Sequence, residues 1–81
     1  MPKSALTDAH STIAAYLGEL RREKGVNQVE LARRLKTTQQ YVSKIETCER
    51  RLDLVQFEAY VRALGADPAG AAAEVFRRMA K

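Results

Sequence analysis

Two adjacent glutamines, Gln39 and Gln40, are preceded by Thr38 and followed one helical turn later by Ser43 and Lys44. These side chains suit the edges of nucleic-acid bases. A glutamine amide can accept from adenine N6 and donate to N7 together, lysine can donate to guanine O6 and N7, and a threonine methyl can pack on the methyl of thymine. On a helix the polar set shares one face, and Val42 and Ile45 fall on the other. The same residues would also serve as an ordinary solvated surface, and two glutamines alone favour that plainer reading. Gln28 opens an earlier helical pattern, at a helix start whose free backbone N–H groups favour an anion such as a phosphate.

Positioning such a face requires helices, and helical spacing recurs throughout while strand alternation and Asn-Gly or Asp-Gly hairpin turns are absent. The spacing predicts helix 1 over about Asp8–Lys24, with Thr7 as N-cap, Gly25 as stop and Ile13, Tyr16, Leu17 and Leu20 as its inner stripe. Helix 2 is expected over Gln28–Leu35, capped by Asn27 with Glu30 returning the hydrogen bond. Helix 3 is expected over Gln39–Thr47 with Thr38 as cap. Helix 4 is expected over Leu54–Leu64, boxed by Asp53 and Gln56, stopped by Gly65 and packed through Leu54, Phe57, Val61 and Leu64. Helix 5 begins at Asp67-Pro68, an N-cap followed by proline at the first helical position, and runs to about residue 80. The fold class is therefore all-α, a compact five-helix domain over residues 1–81. Helices 2 and 3, each about two turns long and linked by only Lys36, Thr37 and Thr38, have the spacing of a helix-turn-helix, a motif spanning about 27–47.

Composition narrows the function classes. The chain has 81 residues, 46% hydrophobic and 30% charged, which is a globular balance rather than a disordered one. No apolar run approaches the length that spans a bilayer, and the N-terminus lacks the apolar core of a signal peptide, so a cytoplasmic location with no membrane partner is expected. One cysteine, Cys48, and one histidine, His10, allow neither a disulfide nor a zinc knuckle, so no metal and no cofactor are expected. No nucleophile–base set points to an enzyme. The net charge is +4, and Leu20–Leu52 alone holds nine Lys/Arg against four acids, a net +5. That concentration fits an anionic partner or, more plainly, a solvated basic face.

Residues Leu17 to Pro68 resemble the Cro/phage-repressor (XRE) helix-turn-helix family. The likeness is carried by the run from Leu20 through Lys24-Gly25-Val26-Asn27-Gln28 to Leu35, by Thr37-Thr38-Gln39-Gln40-Tyr41-Val42-Ser43-Lys44-Ile45-Glu46, by Glu49-Arg50-Arg51-Leu52-Asp53-Leu54 and by Arg62–Pro68. The Thr-Thr-Gln-Gln segment is especially similar to the reading helix of lambdoid phage repressors, and the size suits those or a restriction-modification controller. The resemblance implies a lambda-repressor-like domain that binds double-stranded DNA as a homodimer on an inverted repeat, helix 3 in the major groove, and regulates transcription. It implies base reading by Thr38, Gln39, Gln40 and Lys44. Phosphate contacts are expected from Asn27, Gln28, Lys36, Tyr41, Ser43, Arg50 and Arg51. It pairs Arg21 with Glu46, an ion pair expected to be partly buried between helix 1 and the end of helix 3. Two departures stand out: Lys36 and Cys48 occupy places where the family favours glycine.

Val75, Phe76 and Met79 form an apolar cluster on the last helix, expected either to close the core or to form the dimer contact. His10 is expected at the surface, Tyr60 in or at the edge of the core, and Arg33 and Arg34 on a solvated face or near the DNA backbone. Cys48 is read as a loop thiol, with redox sensing as the alternative. Two further function classes compete: the DNA-binding antitoxin of a toxin–antitoxin pair, and a protein-interaction module that does not bind DNA.

Overall fold

In the computed structural model, which describes residues 5–80 with side chains from Asp8 onward, five helices follow one another: α1 (Ala5–Glu23), α2 (Gln28–Leu35), α3 (Gln39–Glu46), α4 (Leu54–Ala63) and α5 (Pro68–Met79). Four of the five starts are fixed by side-chain caps. Asn27, Thr38, Asp53 and Asp67 each lie in extended backbone and accept a hydrogen bond from the backbone N–H three residues on, which satisfies a donor the helix leaves unpaired. At α4 the capping is reciprocal, with Asp53 Oδ1 accepting from Gln56 N at 2.7 Å and Gln56 Oε1 accepting from Asp53 N at 2.8 Å. At α2 it is not. Glu30 turns its carboxylate away from Asn27 and onto Arg33 and Arg34, because three charge-assisted bonds to two guanidinium groups outcompete one neutral backbone N–H. Those two arginines hold its carboxyl down at about 2. The start of α1 lies earlier than the capping chemistry suggested. Ala5 and Leu6, both strong helix formers, are already helical, so Thr7 lies inside the helix, and its side chain falls outside the described residues.

Four helix ends repeat one device. After α1, α2, α3 and α4 the chain makes paired 5→2 and 6→1 backbone hydrogen bonds, for example Lys36 N to Arg33 O at 3.1 Å and Thr37 N to Ala32 O at 2.9 Å. This motif needs a residue in the left-handed region. Glycine supplies it at Gly25 (φ 70°) and Gly65 (φ 77°), but Lys36 (φ 58°) and Cys48 (φ 64°) adopt it with side chains attached. The two non-glycine turns therefore bracket α3. Lys36 is exposed and makes only its cap, so Lys36→Gly should remove Cβ strain and stabilise the fold by about 0.5–1 kcal/mol net of the added freedom of the unfolded chain. That is a rise of a few degrees in thermal midpoint, read by circular dichroism. A midpoint that stays put or falls would show that the turn carries no such strain.

The core is built from one stripe of each helix. Tyr16, Leu17 and Leu20 of α1 meet Leu31 and Ala32 of α2, Val42 and Ile45 of α3, Phe57, Tyr60 and Val61 of α4 with its C-cap Leu64, and Ala71 and Val75 of α5. Helix α2 packs on α3 and α4, α1 packs on α3 and α5, and α4 packs on α5. Arg78 ties α5 to α1 through Glu19 at 2.8 Å and lies over the ring of Tyr16 at 5.0 Å. Leu54 departs from its expected inward position and is 79% exposed. It is the first residue of α4 and lines the same open surface groove as Phe57 and Phe76. His10 is half-buried rather than exposed. No helix among the described residues is long and apolar enough to cross a membrane.

Candidate nucleic-acid interface

The turn Lys36–Thr38 holds α2 and α3 against each other, and the N-terminal ends of both carry the residues singled out in the sequence. Thr38, Gln39, Gln40 and Lys44 are exposed, Ser43 and Tyr41 are half-buried, and Val42 and Ile45 lie in the core. The polar face and the apolar face of α3 thus separate as the spacing requires. Thr38 Oγ1 is engaged as the cap of Tyr41 N at 3.1 Å, which leaves its methyl for an outside contact. Asn27 Oδ1 is likewise engaged with Glu30 N at 2.8 Å, leaving its amide N–H groups outward.

Behind this surface lies a charged network. Arg21 and Glu46 pair in a two-pronged geometry, Nε to Oε2 at 2.7 Å and Nη2 to Oε1 at 3.1 Å, with side chains only 11% and 8% exposed. A third guanidinium nitrogen, Nη1, donates to the carbonyl of Val26 at 2.9 Å. Glu46 accepts two further bonds, from the Tyr60 hydroxyl at 2.6 Å and from Gln28 Nε2 at 3.1 Å. Burial pushes the Glu46 carboxyl up, but the bonds from Arg21, Tyr60 and Gln28 outweigh it and hold the carboxyl below its usual range. Burial, followed by the bond to this carboxylate, pushes the Tyr60 hydroxyl well above its ordinary value. The guanidinium of Arg21 is held protonated still more firmly by the same bond to Glu46.

The network reaches the surface through two amides. Gln28 gives Nε2 to Glu46, and its Oε1 accepts from Gln39 Nε2 at 3.2 Å. Both functional ends of Gln28 are therefore engaged within the protein. An anion at this helix start would meet its backbone N–H or its second amide hydrogen. Gln39 keeps its Oε1 and one N–H for an outside partner.

The basic residues fall into two groups. Arg33 and Arg34 are exposed but tied to Glu30, and Arg34 also donates to the carbonyl of Ala63 at 2.8 Å, so both already have partners within the chain. Lys36, Lys44 and Arg51 are exposed, and Arg50 is exposed with its guanidinium over the Tyr41 ring at 5.1 Å. That stacking places Tyr41 and Arg50 together beside the outer end of α3. Cys48 is half-buried, with the Ser11 hydroxyl 4.0 Å from its sulfur.

Sequence reasoning missed two residues in or beside this network. Tyr60 reads in the sequence as one more apolar-stripe position, and its hydroxyl gives no periodic signal. Gly18 carried a signal. A glycine inside a helix costs stability and often marks a close approach. A Cβ there would lie 3.4 Å from Glu46 Oε1 and 3.3 Å from Arg22 Nη1, so the carboxylate packs directly against α1 at this residue.

On α5, Val75 is buried in the core, Met79 is partly buried against it, and only Phe76, at 68%, is largely exposed. The expected cluster is thus divided: Val75 closes the core, and Phe76 faces out beside an apolar groove lined by Ile13, Leu52, Phe57 and Met79.

Residues 12–73 match the helix-turn-helix domain family. No curated protein matches the chain. Among solved structures, an XRE-family like protein from Pseudomonas syringae pv. tomato is 35% identical, with 88% of this chain and 87% of that one covered and a TM-score of 0.82. The clp gene regulator ClgR from Corynebacterium glutamicum is 28% identical over 89% of this chain and 77% of its own, with a TM-score of 0.79. A second ClgR structure gives 27% identity, 88% and 92% coverage and a TM-score of 0.78. With the family model covering residues 12–73 and a solved XRE-family like protein 35% identical over most of both chains, the chain belongs to the XRE-like helix-turn-helix family.

Proposed function

We propose that this protein is a sequence-specific transcriptional regulator that lays α3 in the major groove of double-stranded DNA. The observation that carries the reading is the outward donor–acceptor pair of Gln39, held at the end of a buried hydrogen-bond network. With one N–H engaged by Gln28, the amide presents the acceptor and donor that adenine N6 and N7 require. Gln40 and Lys44 extend the reading face, and Thr38 offers a methyl to thymine. The backbone N–H groups at the start of α2, beside Asn27 and Gln28, together with Lys36, Ser43, Tyr41, Arg50 and Arg51, serve as phosphate contacts that set the register.

Phosphate contacts have a thermodynamic signature. Affinity should fall steeply with salt, with a log–log slope of roughly −0.9 for each phosphate neutralised. Arg51→Ala should weaken all duplexes alike and shallow the slope by about one contact, as measured by fluorescence anisotropy. An affinity indifferent to salt would remove the DNA backbone from the account.

The regulator acts as a homodimer in this reading, through the face that α4 and α5 share. Leu54, Val55 and Phe76 are 79%, 73% and 68% exposed there. From Asp53 to Met79 the chain carries four acids against three arginines, a net −1. Two copies can meet on this face without the repulsion that the basic stretch would impose, and apolar clusters of this kind mark contact sites. Phe76→Glu should give a monomer in sedimentation at concentrations where the wild type is dimeric, and lower DNA affinity with it. A wild type that sediments as a monomer bound singly to its site would overturn the dimer.

A further inference from the structure

We propose that Tyr60 is a positioning residue for base reading, its hydroxyl completing the shell of Glu46 that fixes how the amides of Gln28 and Gln39 face. This rests on the reading of Gln39 as a base contact. Tyr60 belongs to α4, is 1% exposed, and is remote in sequence from the reading residues. Its hydroxyl reaches them through Glu46.

The argument runs through hydrogen-bond directions. An ionised carboxylate only accepts, and its two oxygens offer about four acceptor positions. Glu46 fills them with Arg21 Nε and the Tyr60 hydroxyl on Oε2, and with Arg21 Nη2 and Gln28 Nε2 on Oε1. Because Glu46 cannot donate, Gln28 must turn its NH2 inward and its carbonyl oxygen outward. Because that oxygen can only accept, Gln39 must give it an N–H. The free remainder of Gln39 is then one acceptor and one donor in a fixed order. A freely turning amide would present either order.

Tyr60 bears on that order by holding Oε2. With the hydroxyl and Arg21 Nε both on Oε2, the carboxylate plane is pinned and Oε1 stays aimed at Gln28. Gly18 lies alongside, where a Cβ would just touch Oε1 at 3.4 Å. Without the hydroxyl, Oε2 keeps Arg21 Nε but loses one of its two partners in a buried place, and the carboxylate can rotate to share Gln28 between its oxygens. A merely structural tyrosine would affect stability alone.

The test uses the full-length protein and Tyr60→Phe, which keeps the ring and removes the donor. In the free protein, the side-chain amide signals of Gln28 and Gln39 in 1H–15N spectra should shift toward those of a solvated glutamine, with the backbone signals of the core unchanged. On DNA selected by the wild type, Tyr60→Phe should reduce discrimination at the base pair read by Gln39 by roughly 3- to 10-fold, the scale of one hydrogen bond. Combined with Gln39→Ala it should add nothing further at that base pair, whereas combined with Arg51→Ala its effect should be additive. Amide signals of Gln28 and Gln39 that stay in place in Tyr60→Phe would overturn the proposal, whatever the DNA result. So would a loss of discrimination that adds fully to that of Gln39→Ala. Shifted amide signals beside a wild type that selects no sequence would instead uphold the positioning of the amides and overturn the reading of DNA by Gln39.

Discussion

Arg21→Ala should destabilise the protein by about 3–5 kcal/mol, because it strands the Glu46 carboxylate, 8% exposed, without its guanidinium partner. Small domains have only about 5–15 kcal/mol of stability in total. For a chain of this size the loss corresponds to a drop of roughly 15 °C or more in thermal midpoint. The cost is large because the pair is enclosed: the same substitution at Arg33, whose partner Glu30 is solvated, should change stability by well under about 1 kcal/mol. Arg21→Ala also frees the end of α3 from α1, so DNA affinity should fall more than the loss of folded protein accounts for. Thermal melts and binding titrations on the same sample separate the two effects. A midpoint within a few degrees of the wild type would contradict the structural role of the pair.

The same pair predicts how stability depends on acid. The Glu46 carboxyl is depressed in the folded protein below its usual 4.5. A depressed carboxyl contributes stability that is fully present above the unfolded value and is lost as pH falls through the folded one. The wild type should therefore lose stability progressively below about pH 4.5, and Glu46→Gln should start less stable but lose less over that range. Glu30 and Glu74, each held at about 2 by arginines at the surface, belong to solvated pairs and should add little to this acid limb.

Gln39→Ala is the second large effect. A good two-pronged base contact discriminates by about 1–3 kcal/mol, so its loss should reduce preference at one base pair of each half-site by roughly 10- to 100-fold. Stability should barely change, because Gln39 is exposed and its one bond, to Gln28, lies at the surface. Positions elsewhere in the site should keep their preference. Equal weakening of every sequence would make Gln39 a backbone contact.

Much of this was legible in the sequence because local chemistry agreed with periodicity. Asn27, Thr38, Asp53 and Asp67 are cap residues placed just before apolar stripes, and each caps the expected helix. Lys36 and Cys48, read as standing where glycine is favoured, have the positive φ that such a place demands. What failed was decided by competition or by geometry beyond the helix period. Glu30 had a nearer charged attraction than its cap. Leu54 fits the stripe of α4 by spacing, but it lines an open groove and is 79% exposed. Val75 and Phe76 are adjacent and equally apolar in sequence, and only the packing of α5 separates the core residue from the exposed one. The bond from Tyr60 to Glu46 spans α4 and α3, and no local pattern encodes a contact that only tertiary packing creates.

The central claim, that the Gln39–Lys44 face of α3 reads DNA, is tested most directly by selecting bound sequences from a random duplex pool with the wild-type protein and with Gln39→Ala. The wild type should enrich an inverted repeat with half-site centres about one helical turn apart, 10–10.5 base pairs. Gln39→Ala should return the same repeat with the preference relaxed at one position in each half. A wild-type pool no richer in any sequence than the starting library would contradict the account.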